Sequence, residues 1–152
     1  MTPEGKFRIL VVDDEASVLM TYRLILEQQG YEVVACNTST EAIAMIAQQS
    51  FDIVLCDYSL EDRHTGFEVL AAARERDASV PAALITGYAT QDAVDEASRR
   101  NIGTMVKPIE IEEFLATTAN MLRSNQSAVS EGGTKDSAEK TSEPIRRAST
   151  KN

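Results

Sequence analysis

The sequence is short of several residue types, and each shortage limits what the protein can be. It has no tryptophan and only 5% aromatic residues, so its core must be packed largely with aliphatic side chains. No apolar run is long enough to span a membrane. The segment 1–6 is polar and lacks the apolar stretch of a secretory signal. We therefore expect a cytoplasmic protein that does not insert into a membrane.

Cysteine and positive charge are also scarce. Cys36 and Cys56 each lie at the end of an apolar run, and we interpret them as small buried hydrophobic residues, because a disulfide is not expected in the cytoplasm. Lysine and arginine number 15 against 24 acidic residues, which gives a formal net charge of -9. Nucleic-acid binding needs a basic surface, so we expect no nucleic-acid partner.

What is present is a regular alternation of short apolar runs with amphipathic segments. The apolar runs have the length and β-branched content of buried strands, and the segments between them have the spacing of helices. This alternation predicts an α/β fold with a parallel sheet and helices on both faces. The predicted strands are 7–12, 31–36, 51–57, 80–86 and 102–106, and the predicted helices are 15–29, 38–49, 66–76, 90–100 and 110–123.

The composition divides the chain into three parts. A short lead, residues 1–6, precedes a domain of residues 7–123 that contains all of the predicted strands and helices. Residues 124–152 are rich in Ser, Thr, Glu and Lys and have no aromatic residue. Such a segment buries too little apolar surface to offset the entropy of ordering, so we expect a disordered tail.

Chemically distinctive residues stand at the ends of four predicted strands: Asp13-Asp14, Asp57, Thr86 and Lys107. In a parallel sheet these carboxyl ends lie at one edge, where ligands bind in open α/β folds. Three carboxylates at one edge repel, and a hard divalent cation with oxygen ligands, such as Mg2+, relieves that repulsion. With an ammonium and a hydroxyl added, the edge is suited to hold a phosphoryl group, with a carboxylate as its acceptor.

Together with Pro108, this pattern resembles the receiver domain of two-component response regulators, and the resemblance covers residues 7–123. It implies a flavodoxin-like (βα)5 fold with a five-stranded parallel sheet in the order 2-1-3-4-5. It implies that Asp57 is the phosphoacceptor. Mg2+ would be bound by Asp14, Asp57 and the backbone carbonyl of Ser59, with Asp13 acting through water.

The resemblance also assigns the remaining residues of the edge. Thr86 would hydrogen-bond the phosphoryl group, and Lys107 would pair with one of its oxygens. The peptide bond between Lys107 and Pro108 is expected to be cis. The family often has an aromatic residue at the position of Thr104, and it acts in the output switch. We therefore expect activation here to use Thr86 and Tyr88 instead.

Two further residues of the loop after the third strand bear on the site. Glu61 stands where the family usually has proline. His64 is the only histidine, and we interpret it as an exposed loop residue rather than a ligand.

The implied function is that of a stand-alone response regulator, which takes a phosphoryl group from a sensor histidine kinase or a histidine phosphotransfer protein. Its only catalysis would be Mg2+-dependent self-phosphorylation and slow dephosphorylation. Its output would pass to an unidentified protein, and a homodimer through the face of the fourth and fifth helices is left open. Two alternatives stay open: a hydrolase with an aspartate nucleophile, against which Ser59 replaces the second aspartate, and a binding module that is never phosphorylated.

Overall fold

The computed structural model of the chain describes residues 1–60, 65–87 and 90–132. Two compact units are distinguished, Met1–Leu122 and Arg123–Asn152. Five strands and five helices alternate along the chain, as the sequence predicts. They are β1 (Arg8–Val12), α1 (Ala16–Gln28), β2 (Glu32–Cys36), α2 (Ser39–Gln48), β3 (Ile53–Asp57), α3 (Gly66–Arg76), β4 (Ala82–Thr86), α4 (Gln91–Arg99), β5 (Gly103–Val106) and α5 (Ile111–Gly132).

The strands form one parallel sheet in the order β2-β1-β3-β4-β5, which confirms the expected flavodoxin-like arrangement. In the register, Val12 of β1 lies between Cys36 of β2 and Cys56 of β3. The residues that follow Val12 and Cys56 are therefore neighbours at the carboxyl edge of the sheet. This register brings Asp13 next to Asp57.

Both faces of the sheet are covered, so the central strands have no face in contact with water. Along β1, Leu10 and Val12 belong to one buried cluster, and Ile9 and Val11 belong to the other. Every residue of β3 is buried as well. This is why these strands are continuous apolar runs instead of alternating apolar and polar residues.

Helix starts follow local capping chemistry where the sequence offers it. The Thr38 side chain accepts a hydrogen bond from the N–H of Glu41 at 3.1 Å, and Thr90 does the same for Ala93 at 3.1 Å. Each bond satisfies a backbone donor in the first turn that has no partner inside the helix. The two predicted helix starts after residues 38 and 90 are thereby explained.

The end of the last helix differs from the sequence-based expectation. We expected the helix to end near Arg123 and the tail to begin at Ser124, but α5 continues to Gly132. Residues 124–131 contain neither proline nor glycine, so nothing local stops the helix before the pair Gly132-Gly133. Residues 124–132 therefore belong to α5. The expectation for residues 133–152 lies outside the described residues.

The two cysteines are buried and unpaired, as expected. Burial raises the pKa of the Cys36 thiol to about 12, and burial together with the charge of Asp57 raises the pKa of Cys56. Both therefore act as small apolar residues. Among the described residues, no helix combines the length and apolar character needed to cross a membrane.

Candidate functional site

Three carboxylates meet at the carboxyl edge of the sheet. Asp13 and Asp14 follow β1, and Asp57 is the last residue of β3. Each offers an oxygen, and these oxygens lie within 4.8 Å of one another. The parallel pairing of β1 with β3 causes this, because adjacent strands are only about 5 Å apart. The structure therefore brings together the acidic group that the sequence predicts.

Asp13 is the most enclosed member of the group, since none of its surface is exposed. Its Oδ1 accepts a hydrogen bond from the N–H of Glu15 at 2.9 Å, and its Oδ2 accepts one from Nζ of Lys107 at 3.1 Å. A buried carboxylate needs such partners, because losing water without replacement costs several kcal/mol, roughly. Asp13 is thus fixed in place from two sides.

Lys107 follows the edge strand β5, which is two strands away from β3, and its side chain extends to the carboxylates. Its backbone N–H donates to the carbonyl of Thr86 at 2.8 Å, which extends the β4–β5 pairing by one residue. Its side chain then passes over the ends of β4 and β3, so that Nζ lies 3.1 Å from Asp13 and 3.4 Å from Oδ1 of Asp57. Burial lowers the pKa of Lys107, but the two carboxylates outweigh it, and the net pKa is raised. Lys107 is therefore a fixed positive charge.

Asp57 is buried and shares this single ammonium with Asp13. Desolvation is the largest cause of a pKa raised to about 6, the charge of Asp13 adds to it, and Lys107 opposes it. Among the residues that the structure describes, the three carboxylates thus carry more negative charge than the ammonium of Lys107 neutralises. A site of this composition favours a bound cation.

The residue after Asp57 is tied by backbone hydrogen bonds to β4 and to the start of α3. The N–H of Tyr58 donates to Ile85, and the N–H of Gly66 donates to the carbonyl of Tyr58 at 2.8 Å. A Cβ atom at Gly66 would lie 2.5 Å from the carbonyl oxygen of Asp57, closer than real Cβ atoms approach. Only glycine therefore allows the start of α3 to lie directly against the backbone of Asp57.

The other predicted site residues have different surroundings. Thr86 is buried at the end of β4, next to Lys107. Ser59 is exposed two residues after Asp57 and forms an isolated bridge with Thr65. Thr104 is exposed on β5. Glu61, His64 and Tyr88 lie outside the described residues, so their predicted roles stay predictions.

Tyr22 of α1 also bears on the site, and sequence reasoning missed this relation. Its ring stacks on Phe114 of α5, with centroids 4.7 Å apart and ring planes inclined by 15°. Burial raises the pKa of the Tyr22 phenol; the charge of Lys107 lowers it, and that of Asp13 raises it. The only available signal was an aromatic residue two helical turns after Asp14.

The donor set suits a hard divalent cation. Carboxylate oxygens are the ligands that Mg2+ prefers, and the surplus of negative charge described above would be offset by such an ion. Lys107 differs from a metal ligand, because an ammonium can only donate hydrogen bonds. The edge therefore combines oxygen ligands for a cation with a separate positive charge beside Asp57.

Comparisons with known proteins agree with this geometry. A family model described as the response regulator receiver domain matches residues 9–119. The chain is 32% identical over 126 residues to the alginate biosynthesis transcriptional regulatory protein AlgB of Pseudomonas aeruginosa, and this covers 82% of the chain and 28% of AlgB. It is 34% identical over 132 residues to the transcriptional regulatory protein YkoG of Bacillus subtilis, which covers 85% of the chain and 57% of YkoG. The chain thus spans between about a quarter and about half of the length of these relatives.

Solved structures show the same fold. A CheY-like receiver domain protein from Methanospirillum hungatei superposes with a TM-score of 0.77 at 28% identity, covering 81% of this chain and 98% of that one. The beryllofluoride-activated NtrC4 receiver domain dimer gives a TM-score of 0.71 at 28% identity, covering 78% and 98%. Both similarities cover most of this chain and nearly all of the other.

Proposed function

Because the chain belongs to the response regulator receiver domain family, we propose that it accepts a phosphoryl group on Asp57 and signals through that modification. One observation carries the proposal: Oδ1 of Asp57 lies 3.4 Å from Nζ of Lys107 within a group of three carboxylates. A nucleophilic carboxylate, a cation site and a fixed ammonium are the parts that phosphoryl transfer to an aspartate requires.

The protonation state of Asp57 is compatible with this role. With a pKa of about 6, most of the Asp57 carboxyl is ionised at neutral pH, and a bound divalent cation would lower this pKa. An oxygen of Asp57 would attack the phosphorus of a phosphohistidine, forming a P–O bond as the P–N bond breaks. The electron pair of the broken bond leaves with the imidazole.

Each residue of the site would have a separate electrostatic role. Asp13, Asp14 and Asp57 would hold Mg2+, with the backbone carbonyl of Ser59 as a further ligand, and the ion would supply positive charge for the transferred group. Lys107 would donate to a phosphoryl oxygen, and its place between the two buried carboxylates keeps it oriented. Thr86, buried beside Lys107, would donate its hydroxyl hydrogen to another phosphoryl oxygen.

The partners follow from this chemistry. The donor would be a phosphohistidine on a sensor kinase or on a phosphotransfer protein, and the output would pass by contact with a protein. AlgB and YkoG are named as transcriptional regulatory proteins, but their match to this chain covers only part of each. For a homodimer we propose the face of α4, β5 and α5, where Val106 and Ile111 are both more than half exposed.

Labelling with radioactive acetyl phosphate tests the phosphoacceptor role. In the presence of Mg2+ we expect one stable label per chain, and no label in EDTA. The variant Asp57→Asn should take up no label while its circular dichroism spectrum is unchanged. Asp92→Asn is the matched control, because Asp92 is an exposed acid on α4, and it should label like wild type.

The alternatives give different results in the same experiment. A hydrolase would release inorganic phosphate over many rapid turnovers without a stable label on Asp57. A binding module that is never phosphorylated would take up no label at all. Label at a residue other than Asp57 would contradict the assignment of the acceptor.

A further inference from the structure

The stack of Tyr22 on Phe114 joins two helices that start at the site. Helix α1 begins two residues after Asp14, and α5 begins four residues after Lys107. The stack therefore connects the helix that follows the acidic pair with the helix that follows the ammonium.

The stack is well fixed on the α5 side. Phe114 is 1% exposed, and its N–H donates to the carbonyl of Glu110 at 2.9 Å, so it lies in the first turn of the helix. The Thr118 hydroxyl donates to the carbonyl of Phe114 at 2.9 Å one turn later. A ring fixed in this way presents a rigid flat surface to the ring of Tyr22, and offset stacking adds to apolar burial.

Burial is the main cause of the raised pKa of the Tyr22 phenol, and the charges of the site also act on it. Charges on Lys107, Asp13 and Asp57 all act on the pKa of the phenol, and these groups lie together at the carboxyl edge of the sheet. Tyr22 thus combines a ring contact with α5 and a phenol whose pKa responds to the charges of the site. Among the described aromatic contacts, the other tyrosine pairs, Tyr31 with Phe7 and Tyr58 with Phe67, do not bridge α1 and α5.

We infer that Tyr22 is a positioning residue for phosphorylation: its ring, stacked on Phe114, sets the distance between α1 and α5 and so holds Lys107 over Asp13 and Asp57. This inference rests on the proposed function. It gives helix α1 a role, the positioning of Lys107, that the residues at the strand ends do not fill.

Because the side chain of Lys107 is long, the position of its Nζ depends on how α1 and α5 are packed. Its flexible four-carbon side chain has to pass over two strands before Nζ meets the carboxylates, and a quarter of the side chain stays exposed. Phosphoryl transfer depends on where Nζ lies, and a shift of about 1 Å in a reacting group can reduce a rate by roughly a hundredfold. A small change in the spacing of α1 and α5 is therefore expected to affect the rate more than the fold.

Two substitutions at Tyr22 separate the ring from the hydroxyl. Tyr22→Phe keeps the stack, and Tyr22→Leu removes it. With radioactive acetyl phosphate and Mg2+, we expect Tyr22→Leu to lower the maximal labelling rate by about tenfold, with little change in the half-saturating concentration of acetyl phosphate, and Tyr22→Phe to stay within about twofold of wild type. Phe114→Leu removes the other ring and should act like Tyr22→Leu, which covers the case that one variant folds poorly.

Two controls distinguish positioning from a loss of stability. Tyr31→Leu removes a tyrosine that contacts Phe7 near the amino ends of the strands, and it should leave the labelling rate unchanged. In a Lys107→Ala background, Tyr22→Leu should cause no further loss of rate, because it acts through Lys107. A further tenfold loss in that background would overturn the inference.

The remaining outcomes are also decisive. If wild type does not label, the proposed function fails. If wild type labels and Tyr22→Leu labels as fast as Tyr31→Leu, the proposed function stands and the positioning role is wrong. If Tyr22→Phe is as slow as Tyr22→Leu, the hydroxyl and not the stack is what matters, and the inference is likewise overturned.

Discussion

The ammonium of Lys107 and the carboxylate of Asp13 form a hydrogen-bonded ion pair of 3.1 Å between residues that are 94 positions apart in the chain. Asp13 has no exposed surface, and its side chain also accepts a hydrogen bond from the N–H of Glu15. Removing one member of an enclosed pair leaves the other charge without compensation, which costs more than the pair itself contributes. Lys107 therefore matters to stability as well as to chemistry.

The first prediction follows for Lys107→Ala. In EDTA at neutral pH, the free energy of unfolding should fall by about 1–3 kcal/mol, because the enclosed carboxyl group of Asp13 loses its ammonium partner. The measurement is a urea titration followed by circular dichroism. Lys6→Ala is the control, since Lys6 is exposed and near the amino terminus, and it should change the free energy by no more than about 0.5 kcal/mol.

Mg2+ should restore part of the stability that Lys107→Ala loses, because a bound cation can compensate the same carboxylates. If Lys107→Ala is as stable as wild type in EDTA, the pair with Asp13 does not hold the site together. If Mg2+ stabilises neither protein, the three carboxylates do not form a cation site.

The second prediction concerns pH and Asp57→Asn in the absence of divalent cations. The folded-state pKa of Asp57, about 6, lies above its ordinary value, so the folded state binds the proton more tightly than the unfolded state. Ionising Asp57 therefore lowers the free energy of unfolding. The stability that its neutral carboxyl contributes is complete below about pH 4 and is lost as the pH rises to about 6. Asparagine does not titrate and avoids this cost.

Asp57→Asn should accordingly be more stable than wild type at pH 7, by about 1–2 kcal/mol. The difference should shrink as the pH falls through 6 toward 4. Thermal unfolding in EDTA over this pH range measures it. A variant that is less stable than wild type at pH 7, or a difference independent of pH, would contradict the burial of a charged Asp57.

The parts of this molecule that could be read from the sequence are those set by local patterns. Apolar runs of strand length locate β1 and β3, and parallel topology then puts Asp13 and Asp57 at one edge without further information. The capping side chains of Thr38 and Thr90 mark two helix starts. Such features depend on a few neighbouring residues and on the regular geometry of a parallel sheet.

The parts that could not be read depend on long-range packing. Nothing local says that Lys107 spans the sheet as far as Asp13, or that Tyr22 meets Phe114 instead of another core residue. The end of α5 was missed for a different reason. The polar composition after Arg123 indicates a lack of burial, but it does not prevent a helix until Gly132.

The third prediction concerns the close approach at Gly66. In Gly66→Ala the added Cβ would meet the carbonyl oxygen of Asp57 at 2.5 Å and the side chain of Leu84 at 2.7 Å. Because backbone cannot move aside cheaply, we expect a loss of about 1–3 kcal/mol in the free energy of unfolding. We also expect slower labelling of Asp57, since the strain falls on its own backbone. Urea titration and the acetyl phosphate assay measure the two effects.

Gly103→Ala is the matched control for Gly66→Ala. A Cβ at Gly103 would lie 3.6 Å from Ala83, which is an ordinary contact. It should change stability by no more than about 0.5 kcal/mol and leave labelling unchanged. If both alanine variants behave alike, the contact between the start of α3 and Asp57 is not as close as described.

Helix α4 is held firmly at its carboxyl end, and the last prediction rests on this. The guanidinium of Arg74 on α3 donates to the carbonyls of Val80 at 2.8 Å, Arg100 at 2.8 Å and Asn101 at 3.0 Å. The guanidinium of Arg100 lies 4.9 Å above the ring of Phe67, also on α3. Only Ala97 is buried among the residues of α4. Among the described residues, the attachment through Arg74 thus lies at the end of the helix away from Thr86.

Thr104 is exposed, and its side chain is too small to replace the aromatic residue that the family often uses in the output switch. We therefore expect phosphorylation to move the amino end of α4, while the attachment at Arg74 holds the carboxyl end in place. Adding beryllofluoride and Mg2+ should shift the NMR amide signals of Thr90–Val94 strongly and those of Arg99–Ile102 weakly. Arg74→Ala should extend the large shifts to the carboxyl end. Arg99→Ala should not, because Arg99 is exposed and its guanidinium bonds to Glu96 in the same helix. Equal shifts at both ends in the wild-type protein would show that α4 does not pivot at Arg74.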